Sequence, residues 1–438
     1  MKYFFPMVFL QWYLTVTLLM FAFGPIDYHV ELPFVFWSLL ILYQLAFLVG
    51  YYAAFMIKSN NGQCYKKNTL DSFFSNNRFR LLVVAAMIAS IIGFKGSESI
   101  LDLLNPLYWF DAALSGIQSP GQSYVEKMQR VDSDVSGNKL ASILLFIFAF
   151  SKILLIPALV FFWDRIGYFT RSVAFFVTLL PVLSALSHGT NKYVFDFAIF
   201  YSASLIVFFI QNYYSTGRFG FKKRKFFVLI FLTAGVGAFT FFGLAMQERG
   251  GSVTYIEAMS PLGDIMVKDP DSNGDHSFVY VTYAWLSSYI VQGYYGFSLS
   301  LTQDFTSSFG LGNSTFLMRQ FEWISGVDLS TSTYQHKIDR WWGESAQWHS
   351  FYSHFANDFH FVGVAFICLI LGFYLAKLWF SIIDNNNFYA AAMMPLFALL
   401  IIFIPANNQI FGFLETFSAF IIISMLWFYT MYINRHEC

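Results

Sequence analysis

Arginine, histidine and carboxylate side chains crowd into one stretch of this 438-residue chain: between positions 247 and 360 stand Arg249, Arg319, Arg340, His336, His349, His354, Glu344 and Asp358. Arginine grips phosphate or pyrophosphate through two parallel hydrogen bonds and keeps its charge at any physiological pH. Arg249 follows directly on an apolar run (GLAMQERGG), which sets it at the depth of lipid headgroups. Arg249, Arg319 and Arg340 are therefore candidate anion-binding residues, and the plain alternative for each is a cation snorkelling to the headgroups. In QWHSFYSHFANDFHFVG, His354 and Asp358 are four residues apart and share a helical face. A carboxylate there can orient an imidazole that accepts a proton from an attacking hydroxyl, so His349 or His354 is the candidate base and Asp358 its orienting partner. The competing reading is that these groups cap a helix start in interfacial water. His349, His354, Asp358 and His360 are also ligand types for zinc, but their spacing fits no zinc signature, and neither a metal nor a cofactor is expected.

Other groups carry weaker signals. The aromatics of RWWGESAQWHSFY suit the apolar faces of sugar rings and serve equally as interfacial anchors. Asp269 to Asp275 (DPDSNGD) has the first half of a calcium loop, but Tyr280 stands where a bidentate Glu is required, which makes a polar turn the preferred reading. Asp132-Ser133-Asp134 has the look of the acidic pair of nucleotide-sugar enzymes, on a side of the membrane where such sugars are not expected. Within apolar runs stand Lys152, Asp196 and Glu415, and an intramembrane charge is either functional or one half of a structural ion pair. Lys192, in LSHGTNKYVFDF at the mouth of one such run, is a further candidate substrate-binding cation.

The elements that position these groups are membrane helices. Only 12% of the residues are charged and 57% are hydrophobic, with a mean hydropathy of +0.54, whereas soluble domains are about one-quarter charged. Apolar runs near 3–23, 33–57, 79–94, 140–163, 172–187, 193–211, 226–246, 361–383, 388–404 and 413–433 predict an all-α, polytopic protein of about ten transmembrane helices. Three predicted blocks follow: a bundle over 1–246 with an outer loop at 95–139, a large loop over 247–360 with interfacial helices, and a second bundle over 361–438. Basic residues in 58–80, 164–171 and 212–226 place those loops in the cytoplasm, with both termini, so the two long polar segments face outward. Phe278 to Ser300, apolar but rich in Tyr, Ser, Gly and Gln, reads as a helix lying in the interface, with a spanning helix as the alternative. The second half of the large loop, with Trp323, Trp341, Trp342, Trp348, Phe351 and Tyr352, is too apolar for a solvated linker. Net charge of zero gives no argument for nucleic acid, and Cys64, Cys368 and Cys438 give none for a disulfide framework.

This layout resembles the bacterial O-antigen polymerases, the Wzy-type repeat-unit polymerases of lipopolysaccharide biosynthesis. The resemblance rests on SHGTNK with its basic Lys192, on MQERGG with its Arg249, on the large loop, and on FANDFHFVGVAFICLILG. There Asp358, Phe359 and Gly363 match the family pattern and His360 stands where Gly is common. The resemblance implies a metal-independent, inverting glycosyltransferase at the periplasmic face of the inner membrane. Its substrates would be undecaprenyl-pyrophosphate-linked glycans among membrane lipids, and its partners a chain-length regulator and a flippase of the same pathway. Lys192 replaces an Arg common in the family, which puts bidentate binding there in doubt. Two rivals stand beside it: an O-antigen ligase-like transferase, and a transporter or flippase, which predicts charges lining the spans and paired repeats. No repeat is visible in the chain.

Overall fold

A computed structural model of the chain describes residues 2–60, 75–94, 105–133, 139–217, 221–250, 255–256, 265–267, 277–344 and 347–436. The calcium-like segment Asp269 to Asp275, Asp134, Cys64 and Cys438 lie outside them. In hydrocarbon no water satisfies a peptide group, so an apolar chain must close its own backbone hydrogen bonds, and helices are the direct solution. The protein is an all-α polytopic membrane protein with fifteen described helices. Eight are long and apolar enough to cross a membrane: Phe5–Phe23, Pro33–Lys58, Asn76–Gly93, Ala141–Arg165, Tyr168–Ser187, Lys192–Thr216, Phe351–Asn385 and Leu414–Ile433. Of the two remaining expected spans, Phe388–Phe403 is a shorter apolar helix, and 226–246 lies within the helix Phe221–Gly250, several of whose side chains are outside the described set.

The chain does not pack as three consecutive blocks. It divides into two compact units that interleave along the sequence. The first comprises residues 1–64, 252–380 and 399–413. It contains α1 (Phe5–Phe23), β1 (Ile26–Asp27), α2 (Pro33–Asn60), β2 (Tyr255–Ile256) and β3 (Ile265–Val267). A small antiparallel ribbon joins these strands in the order β1-β3-β2, with Ile26 opposite Val267 and Tyr255 opposite Met266. Its other helices are α10 (Phe278–Ser300), α11 (Thr315–Ser325), α12 (Tyr334–Lys337) and most of α13 (Phe351–Asn385). The second unit, residues 65–251, 381–398 and 414–438, holds α3 (Asn76–Gly93), α4 (Pro106–Gln118), α5 (Pro120–Ser133), α6 (Lys139–Phe162), α7 (Tyr168–Ser187), α8 (Lys192–Thr216) and α9 (Phe221–Gly250). It also takes the start of α14 (Phe388–Phe403) and all of α15 (Leu414–His436).

In the first unit, α2 and α13 meet backbone to backbone. A Cβ added at Gly50 would lie 1.9 Å from the Leu369 carbonyl oxygen, and one at Gly372 would lie 2.2 Å from that of Phe47. Small residues at a crossing let two membrane helices approach closely enough to gain dispersion contact over their length. Helix α10, read from the sequence as interfacial, packs into the protein over its second half, where every residue from Val291 to Ser300 is buried, while Val279 and Tyr283 in its first half are exposed. Thr17 and Tyr294 share a hydrogen bond at 3.1 Å, and Tyr28 stacks on Tyr295, so its tyrosines and serines are packed against other protein.

Helix α13 has 35 residues, about 52 Å at ~1.5 Å per residue, against a hydrocarbon core of about 30 Å. It is broken at His360, whose φ of 57° and ψ of 163° fall in a region open in practice only to glycine. The break separates Phe351–Phe359 from a membrane-length apolar helix beginning at Phe361. A non-Gly residue there stores about 1–3 kcal/mol of strain. Replacing His360 with Gly releases it at a cost of about 0.5–1 kcal/mol in unfolded-chain entropy. The H360G variant is therefore expected to melt a few degrees higher in detergent, by scanning fluorimetry; an unchanged or lower melting temperature would remove strain from the account of this kink.

Candidate functional site

Just ahead of the kink, Asn357 and Asp358 organise the irregular chain that precedes α13. Asp358 accepts from the backbone N–H groups of Gly310 (3.0 Å), Gly312 (3.0 Å) and Asn313 (2.8 Å), and from the Asn313 side chain (2.8 Å). The segment Phe309-Gly310-Leu311-Gly312-Asn313 thus forms a nest of amides around one carboxylate. Gly310 and Phe309 hold positive φ values of 85° and 54°, and a side chain on Gly312 would collide with Ser308 and Asn357. Asn357, fully buried, donates to Gly312 O and Gln335 Oε1 and accepts from the Tyr334 amide, tying α12 to the same point. Asn408 and Ser314 complete the fixation through the carbonyls of Asn313 and Phe411.

This corrects the expected role of Asp358. All of its bonds are to the loop, and it does not orient His354. His349 and His354 do meet, with ring centroids 6.5 Å apart, but both are buried. His349 packs beside Trp342 over Gly296, where a Cβ would lie 3.1 Å from Nδ1, and neither ring nitrogen makes a hydrogen bond of good geometry. Burial holds its pKa down, from 6.5 to about 3; the neighbouring His354 adds to this and the Gly343 backbone opposes it weakly. His354 has Asn407 as a hydrogen-bonding neighbour.

The oriented imidazole sought at His354 occurs instead at His336, a residue whose partner cannot be told from spacing. His336 Nδ1 lies 3.1 Å from Glu344 Oε2, and both side chains reach solvent. The turn between them is fixed by the Glu344 amide donating to Asp339 Oδ1 (2.7 Å). Arg340, midway between them in sequence, is exposed and lies over the Trp341 ring at 3.6 Å. Arg319 is exposed on α11, which also exposes Phe321, Trp323 and Ile324, and it has no ion-pair partner among the described residues. Nearby Asp328 is held below the usual carboxylate range by the backbone and hydroxyl of Ser330. Arg249 closes α9 in the second unit, and its side chain lies outside the described set. Among the described residues no group of His, Cys and acidic side chains is arranged to hold a metal.

In the second unit, the intramembrane charges found in the sequence converge. Lys152 pairs with Glu415 at 2.7 Å and Lys192 with Asp196 at 3.0 Å, and all four line one cavity with Tyr193. Lys192 is therefore engaged by a carboxylate at the start of α8.

The neutral burial of His349 has a pH signature. Below pH 6.5 the unfolded chain binds a proton there that the fold refuses until about pH 3, so stability falls as pH drops through that window. The slope approaches about 1.4 kcal/mol per pH unit. A His349→Phe variant is expected to lose less of its melting temperature than wild type between pH 6.5 and pH 5; parallel curves for the two would show that the ring is protonated in the fold.

Comparison with family models, with curated proteins and with solved structures finds no match, so the reading of this site rests on its own geometry.

Proposed function

We propose that this protein is a glycosyltransferase of the O-antigen polymerase type, joining undecaprenyl-pyrophosphate-linked repeat units at the periplasmic face of a bacterial inner membrane, with both termini in the cytoplasm. The observation that carries the reading is the exposed His336–Glu344 pair, set in one turn with Arg340. Glu344 holds Nδ1, which leaves Nε2 to take the proton of an acceptor hydroxyl. As that proton leaves, the acceptor oxygen forms its bond to the anomeric carbon from the face opposite the lipid pyrophosphate. The carbon–oxygen bond to the pyrophosphate breaks with its electron pair, and the configuration inverts. Charge grows on the departing pyrophosphate, and arginine stabilises it, a task that suits Arg340 and, in the same unit, Arg319. The charged cavity of the second unit favours a second reading, a transporter or flippase of lipid-linked glycan, because charges line its spans.

Deleting the gene in its host and resolving extracted surface polysaccharide by length tests both. The polymerase reading expects the ladder to collapse to core plus a single repeat, to return with wild type, and to stay collapsed with stably expressed Arg340→Ala. His336→Asn is expected to lower polymer by about 100-fold or more. A ladder that persists in the deletion ends the polymerase reading. Loss of even the single repeat, with lipid-linked repeats retained inside, selects the transporter.

A further inference from the structure

The second unit contains a site that glycan transfer does not use. Its cavity, about 50 Å³, has room for about three or four waters. Apolar side chains form most of its wall: Ala86 from α3, Ile153 and Ile156 from α6, Val177 and Pro181 from α7. At its polar end stand Lys152 on α6, Lys192, Tyr193 and Asp196 on α8, and Glu415 on α15. Neither α3 nor α7 adds a titratable group to the lining among the described residues.

The two ion pairs differ in completeness. Glu415 is satisfied at both oxygens, Oε1 by Lys152 and Oε2 by the Tyr193 hydroxyl at 3.0 Å. The pair lies against the backbone of Gly93, where a Cβ would come 3.3 Å from Glu415 Oε1 and 3.5 Å from Lys152 Nζ. Asp196 receives Lys192 on Oδ2, while its Oδ1, buried, accepts no hydrogen bond from the protein. Leaving a buried carboxylate oxygen without a donor is unfavourable, so a donor guest is favoured there. The cluster is neutral, with two ammonium groups against two carboxylates, and a cation added to it would be an uncompensated buried charge. One positive group can leave: the Lys192 side chain is 28% exposed, against 9% for Lys152, and it opens α8 on a flexible stem. Lys152 is fixed by Glu415, and both ammonium groups lie over the Tyr193 ring, at 5.6 and 5.2 Å.

From this asymmetry we infer that the cavity is a hydrated proton-binding site inside the membrane bundle, in which Asp196 takes a proton from cavity water and Lys192 leaves for solvent as it does so. The balance is one proton in at Oδ1, donated by hydronium that is left as water, and one ammonium out, so the buried cluster stays neutral. Lys152, Tyr193 and Glu415 stay in place and keep the second carboxylate ionised. The site loads a proton whether the protein transfers glycan or moves it.

Infrared difference spectra of the full-length protein in lipid nanodiscs, acid minus neutral, test this. Expected is a carboxylic acid C=O band that grows on acidification, survives Glu415→Gln and vanishes in Asp196→Asn. In Lys192→Gln, which keeps the carboxylate and loses its ammonium, the same band is expected to appear at a pH at least about one unit higher. A folded wild type with no such band, a band that persists in D196N, or an unshifted band in K192Q would each overturn the proposal, and the last does not depend on how D196N folds.

Discussion

The constraint on which this structure depends is that peptide groups and charges in hydrocarbon must be satisfied by the protein itself. It turns the apolar runs into helices, and it leaves irregular backbone tolerable only where side chains can supply what water would. Asn357 and Asp358 answer it for the chain between α10 and α13. One carboxylate and one amide take up backbone groups of Gly310, Gly312, Asn313 and Tyr334, so the irregular stretch 309–313 has its polar groups met by the start of α13. Asn357 also takes the Tyr334 amide and donates to Gln335, the residues that lead into the turn carrying His336, Arg340 and Glu344.

The same constraint explains the buried charges. Lys152 and Glu415 satisfy each other with help from Tyr193. Lys192 and Asp196 satisfy each other only in part. A buried pair is weak evidence for stability, because desolvation offsets most of the attraction. Its incompleteness on one side is better understood as chemistry retained inside the bundle.

Strain and close approach mark the joints. His360 holds a glycine conformation where a stiff membrane helix meets the anchored segment, and Gly50 and Gly372 allow α2 and α13 to touch along their backbones. The break lies two residues from Asp358, so the residue that gathers the loop sits at the end of its own short helix and not midway along a continuous one.

Composition and run length by themselves determined the class of this protein, since so few charges cannot cover a soluble surface and stretches of about twenty apolar residues have few other fates. The helix periods of Lys152, Asp196 and Glu415 were equally legible, because their intramembrane placement follows from sequence alone. Their partnerships were not: Lys152 and Glu415 lie far apart in the chain, and only helix packing brings them to 2.7 Å. The four-residue spacing of His354 and Asp358 suggested a couple on one face, but backbone amides more than 40 residues away compete better for that carboxylate. His336 and Glu344, eight residues apart, carry no helical or strand signature, and it was the turn closed by Asp339 that decided they would meet. Local periodicity reports which face a residue occupies, whereas a hydrogen bond between distant segments depends on where the whole chain returns, and that belongs to the tertiary structure.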